Sequence, residues 1–216
     1  MFRCDDQATA IVNGLLVQMT PMLEGAIRDV STGSNSEFGY TAIFKDPASV
    51  PYIKTMLQNM ADGSKMPVQT KDWPGDRSPI FICARPGNRD PSMNQFSSAC
   101  TSEQTPAVRI PDSPWIVLCP TFFRMKEAPE RTDCPTEDSR GLMFLPNTMI
   151  GNQYTALIRQ LAHFYLGPDN LPVEVTNLNQ IFSLSADETK RNARSYEFYV
   201  ASKIYSLLSS CARALG

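Results

Sequence analysis

The sequence predicts an α+β fold in a single domain over residues 1–216, with helices at both ends around a small central sheet and disulfides holding the loops. Three observations predict it. Apolar residues recur at helical spacing in the first and last thirds, β-rich runs are confined to the middle, and six cysteines spread from Cys4 to Cys211.

The first helix is expected from Gln7 to Val30, because Ala10, Ile11, Leu15, Leu16, Met19, Met22, Leu23 and Ile27 fall on one stripe. Pro21 is expected to kink or divide it, since proline removes a backbone donor and crowds the preceding turn. Ser31 to Gly39 reads as a turn-rich loop. A second helix is expected to start near Asp46 or Pro47, to bury Val50, Ile53, Met56, Leu57 and Met60, and to end at Gly63.

In the middle, Ile80 to Cys83 and Trp115 to Cys119 are short β-rich runs bounded by Pro, Gly and Asp, and Ala107 to Ile110 is a third candidate. Polar loops are expected from Arg85 to Cys100 and from Arg124 to Arg140. Helix returns over Asn152 to Leu166, carried by Tyr154, Leu157, Ile158, Leu161, Phe164 and Tyr165, and is stopped by Gly167-Pro168. Ser185-x-x-Glu188 is a capping box. It is expected to open one last helix through Tyr196, Phe198, Tyr199, Ile204, Tyr205, Leu207 and Leu208 to about Leu215.

Composition narrows the function classes. Hydrophobic residues make up 42% of the chain and charged residues 19%, too apolar for a disordered chain. The longest unbroken apolar runs are far short of the ~20 residues that span a bilayer, so no membrane segment is expected. A net charge of −2 with no basic cluster argues against nucleic acid as a partner. No two of Cys4, Cys83, Cys100, Cys119, Cys134 and Cys211 form a C-x-x-C pair, so disulfides in an oxidising compartment are expected, with the pairing left open among 15 connectivities. Met1 to Asp6 holds no apolar signal core, so a secreted chain is expected here in its mature form. No N-glycosylation sequon occurs.

The chemistry converges on Leu157-Ile-Arg-Gln-Leu-Ala-His-Phe-Tyr165. Zinc peptidases of the His-Glu-x-x-His type place two histidines four residues apart on one helical face, with a glutamate between them that activates water. Here Arg159 stands at the first histidine position, Gln160 at the glutamate and His163 at the second histidine. The chain has one histidine in total, whereas a catalytic zinc site takes about three protein ligands. Arg159 stays protonated and repels a divalent cation, and Gln160 cannot take a proton from water.

Further stretches carry a resemblance. Trp115-Ile-Val-Leu-Cys-Pro-Thr-Phe-Phe123, the Gln153 to Tyr165 helix, and Ser185 to Tyr199 with its Asn192-Ala-Arg-Ser-Tyr196 core are similar to segments of the deuterolysin and lysine-specific metallo-endopeptidase superfamily of fungal secreted peptidases, the aspzincins. The resemblance implies a zincin-like fold in which two His and a downstream Asp bind zinc and a Glu is the base. It puts the Asp position within Val175 to Ile181, at Asn177 or Asn179.

Together these readings lead to the expectation of a secreted, fungal, catalytically inactive metalloprotease-like protein, a pseudo-protease with no cofactor and no bound metal. It is expected to be a monomer that binds a peptide or host protein through a retained groove, in an effector-like or allergen-like role. Two alternatives are a non-zinc hydrolase using His163 with a carboxylate, and a protein with a non-standard metal site. Arg159 is expected either on the surface or paired with Glu174, Glu188 or Glu197. Asp5-Asp6 and Glu137-Asp138 read as solvated loop charge, the Tyr196, Phe198, Tyr199 and Tyr205 run as core or groove lining, and Ser195 and Ser209 lack any base but His163.

Overall fold

A computed structural model describes residues 4–32, 40–65, 79–84, 94–100, 102, 104–111, 113–127, 136–137, 143–144 and 151–207. Helix α1 (Asp6–Thr32) opens on Asp5, whose carboxylate accepts from the Ala8 amide at 2.8 Å. Pro21 does not divide it. The carbonyl it leaves unpaired belongs to Val17, which is 72% exposed, so water can take the lost bond. Helix α1 is long and apolar enough to cross a bilayer, a length the count of unbroken apolar runs did not register. Its Leu15, Leu16, Met19, Leu23, Ala26 and Val30 are instead buried in the core.

A short helix α2 (Tyr40–Ile43) follows. Asp46 then caps a 3-10 turn (Pro47–Ser49) by accepting from the Ala48 amide, and the chain passes into α3 (Val50–Lys65), which continues two residues beyond Gly63. Helix α3 lies along α1. Its Ile53, Leu57 and Met60 are fully buried, as the helical stripe predicts.

Strands β1 (Ile80–Cys83), β2 (Ala107–Arg109) and β3 (Trp115–Leu118) form a three-stranded sheet in the order β1-β3-β2. β1 runs parallel to β3, and β2 antiparallel to it. Alternation along β3 sends Ile116 and Leu118 into the helical core, while Val117 meets Ile82 and Phe96 on the other face. Phe96 belongs to α4 (Asn94–Ala99), a helix inside the segment expected to be loop, and its ring sits edge-on to Trp115. A two-stranded pair joins β4 (Thr136–Glu137), inside the second segment expected to be loop, to β5 (Met143–Phe144), beyond its end.

Two disulfides are formed among the described residues. Cys4–Cys83 ties the start of α1 to the end of β1, and Cys100–Cys119 ties α4 to the end of β3. Cys134 and Cys211 lie outside the described residues, as do 33–39 of the expected loop and everything past 207. Two disulfides fit an oxidising compartment.

Helix α5 (Gln153–Leu166) crosses the core beneath the sheet. Asn152 caps it by accepting from the Thr155 amide, and the Gln153 side chain donates to the Phe122 carbonyl at 2.9 Å, pinning the helix start to the Phe122–Arg124 turn. Gly167, at φ 53°, ends it. The closing segment is not one helix. Asn177 caps α6 (Leu178–Ser183), the Ser185/Glu188 box opens α7 (Ala186–Lys190), and the chain breaks at Arg191-Asn192 before α8 (Ala193–Leu207) packs on α5. The break has a tertiary cause, because the buried Asn192 side chain both accepts from and donates to the distant Val175 backbone.

Candidate functional site

The site is built on the exposed side of α5, where it approaches β2. Residues 157, 158 and 161 are fully buried, so the same helical turn presents Arg159, Gln160 and His163 toward the sheet edge. Gln160 is itself nearly buried, and its Oε1 accepts the Arg109 backbone N–H at 2.8 Å. Arg109 is on the sheet-edge strand, whose other side pairs with β3. Gln160 thus holds the edge strand against the helix and satisfies one of its free donors.

Arg159 is not a loose surface residue. Its Nε donates to both oxygens of Glu174, at 3.1 and 3.0 Å, and its Nη2 donates to Glu174 Oε2. The other Glu174 oxygen, Oε1, lies 3.2 Å from His163 Nε2. Glu174 therefore bridges the two residues, and its carboxylate is 14% exposed. Burial alone would raise this carboxyl, but the hydrogen bonds from His163 and Arg159 and the Arg159 charge outweigh it and hold the group down at about 2. Burial works against the Arg159 charge too, and the Glu174 hydrogen bonds and charge overcome it.

The other His163 nitrogen is also engaged. Nδ1 is 3.3 Å from Asn170 Oδ1. Asn170 cannot turn its amide around, because its Nδ2 already donates to the carbonyls of His163 and Gly167. Each imidazole nitrogen thus faces an oxygen.

Glu174 is set in place from below. Asn192 accepts the Val175 amide at 3.1 Å and donates to the Val175 carbonyl at 3.0 Å. Its Nδ2 also reaches Ser195 Oγ, which places Ser195 in this clamp and away from any partnership with His163. The Asn and Ser of the Asn192-Ala-Arg-Ser-Tyr196 segment fix the residue beside Glu174, and Tyr196 Oη donates to the Lys190 carbonyl at 2.8 Å.

Of the other candidate partners for Arg159, Glu188 is consumed by its capping box with Ser185. Glu197 is fully buried on α8, ion-paired to Arg194, and feels the Arg159 charge without bonding it; burial pushes its carboxyl up to about 7. Asn177 and Asn179 do not reach the site. Asn177 Oδ1 accepts from the amides of Asn179 and Gln180 as a helix cap, and both residues are exposed.

The donor set does not fit the zinc that the resemblance implies. A guanidinium locked to a carboxylate stands where an imidazole would be, an amide stands at the base position, and neither nitrogen of His163 is open. Among the described residues no three His, Cys, Asp or Glu side chains converge as a ligand set. The carboxylate that reaches His163 among the described residues is that of Glu174. Sequence reasoning named it only as a partner for Arg159, because nothing in the local pattern shows that residue 174 returns to the helix.

A pocket of about 450 Å³ opens over this arrangement, walled by Thr105, Ala107 and Arg109 from the β2 side and by Arg159, Gln160 and His163 from α5.

No family model matches the chain, and no curated protein does. Among solved structures it is similar to a zinc peptidase from Grifola frondosa, at 16% identity and a TM-score of 0.53, over 92% of this chain and 97% of that one. Likeness at this identity speaks to the fold, and the helix-rich layout with its small sheet and disulfides agrees with it: the chain has an α+β, zincin-like metalloprotease fold.

Proposed function

We propose that this chain is a degenerate relative of the deuterolysin-like zinc peptidases, secreted and of fungal origin, that does not cleave peptides and acts by binding one in the groove between β2 and α5. The Arg159–Glu174–His163 network carries the reading. It puts a cation at the metal position, occupies both imidazole nitrogens and has an amide, Gln160, where the family's base would stand. The pocket beside it keeps an edge strand on one wall, which is the element an extended peptide would pair with.

Purified protein is expected to hold far less than one zinc per chain by elemental analysis and to leave a mixed peptide pool uncut with or without added zinc. The same pool is expected to yield bound peptides in the presence of a chelator. Stoichiometric zinc together with chelator-sensitive cleavage would refute the proposal.

A hydrolase built on His163 finds less support. A general base needs one nitrogen free to take a proton, and here Nε2 faces Glu174 while Nδ1 faces Asn170. Activity abolished by His163→Ala yet indifferent to chelators would restore that alternative. A non-standard metal site would show itself as bound metal in the same elemental analysis.

A further inference from the structure

The pocket has a sign. Its charged walls are Arg109 and Arg159, and no carboxylate stands among its described lining residues. Arg159 spends Nε and Nη2 on Glu174, and no described residue takes its Nη1. Arg109 is less satisfied still. Its backbone is held by Gln160, but its side chain makes no ion pair among the described residues, and its Nε is buried without any hydrogen-bond partner. A buried guanidinium donor left unpaired costs free energy, because its lost hydration is not repaid. Such a group calls for an acceptor that the described residues do not supply.

The apolar share of the wall comes from Pro106, Ala107 and Val108. An apolar wall beside a guanidinium lowers the local dielectric, which strengthens a charge-assisted bond to an entering anion.

We propose that this pocket recognises a carboxylate, with the Arg109 guanidinium as the principal donor and the free edge of Arg159 as the second. The proposal rests on the peptide-binding reading above and names the feature of the peptide that is read. A planar carboxylate matches the guanidinium fork in two parallel hydrogen bonds, whereas a neutral amide offers one acceptor and brings an N–H toward a cation. The carboxylate can come from an acidic side chain or from a peptide C-terminus, since both present the same group.

The test uses the isotope-labelled full chain at pH 7 and low salt, followed by NMR. Three probes are titrated: N-acetylglutamate N-methylamide, N-acetylglutamine N-methylamide, and N-acetyl-alanyl-alanine with its free terminal carboxylate. At least one acid probe is expected to shift the Arg109 Nε–H and backbone amide resonances saturably, about tenfold or more tighter than the glutamine probe. Arg109→Gln is expected to remove that difference, and Arg109→Lys to recover only part of it. The tighter of the two acids identifies the source as side chain or chain terminus.

Equal binding of acid and amide probes would overturn carboxylate recognition and leave groove binding standing. Carboxylate recognition is equally overturned if no probe shifts Arg109 while peptides are still captured from the mixed pool. If the pool yields no bound peptide either, the peptide-binding reading falls with it.

Discussion

At Arg159 a permanent cation takes the helix position from which a zinc-binding imidazole would face His163 one turn later, and Glu174 answers its charge. Removing that answer leaves a half-buried guanidinium unpaired. Glu174→Gln is therefore expected to lower stability at pH 7 by about 1–3 kcal/mol in chemical denaturation. The pH dependence has a definite direction. Glu174 is held down at about 2 in the folded chain against an ordinary 4.5, so its contribution is present above about 4.5 and is lost as pH falls through about 2. Wild type and Glu174→Gln should converge in stability over that window; a gap that stays constant down to pH 2 would show that the carboxylate is not the stabilising group. The same geometry makes a gain-of-function prediction. Arg159→His with Gln160→Glu removes the cation, supplies a base and keeps an acceptor for the Arg109 amide, while His163 and Glu174 already converge. The double variant is expected to bind about one zinc per chain by calorimetry. Adding Asn177→Asp is expected to change nothing, because residue 177 caps a helix away from the site.

At the scale of elements, the site depends on how the segments on either side of Pro172 are tied down. Asn192 interrupts what would be one long closing helix and spends its side chain on the Val175 backbone. Asn192→Leu offers similar bulk with neither bond, so it is expected to cost about 2–4 kcal/mol. It should also raise the apparent pKa of Glu174 as that carboxylate loosens from Arg159 and His163, which NMR titration of its side-chain carbon would read. Gly167 ends α5 at φ 53°, where a side chain is strained. Gly167→Ala is expected to cost about 1 kcal/mol or more and to lower the melting temperature by a few degrees. Lys45 supplies a tether that local patterns do not announce. Its own backbone is at φ 64°, and its Nζ donates to the Phe182 carbonyl at 2.8 Å, closing the end of α6 from a residue far away in sequence.

At the scale of the whole molecule, the two described disulfides and the buried Glu197 make testable contributions to stability. Cys4–Cys83 closes a separation of 79 residues and Cys100–Cys119 one of 19. Loop-closure entropy assigns them about 4.5 and about 3 kcal/mol. The paired substitution Cys4→Ser with Cys83→Ser should therefore destabilise more than Cys100→Ser with Cys119→Ser, as read by denaturant midpoints. Glu197 works in the opposite sense to Glu174. Burial raises it to about 7, so the folded chain loses stability as pH rises from about 4.5 through 7, and Glu197→Gln should flatten that part of the profile. What the sequence by itself determined were the helical stripes of α1, α3 and α5, the β-rich runs of the sheet, the capping box at Ser185, and the absence of a two-histidine zinc motif. Each of these is a matter of residue type at short spacing, because a stripe, a cap or a missing imidazole is complete within a few turns of chain. Tertiary structure alone decided that Glu174 and not Asn177 returns to His163, that Asn192 splits the closing helix, that Gln160 holds the edge of β2, and that the Arg109 side chain, without an ion-pair partner among the described residues, lines the same pocket as Arg159. Those facts depend on which distant backbones approach one another, and hydrogen bonding across such approaches leaves no periodic trace in the order of residues.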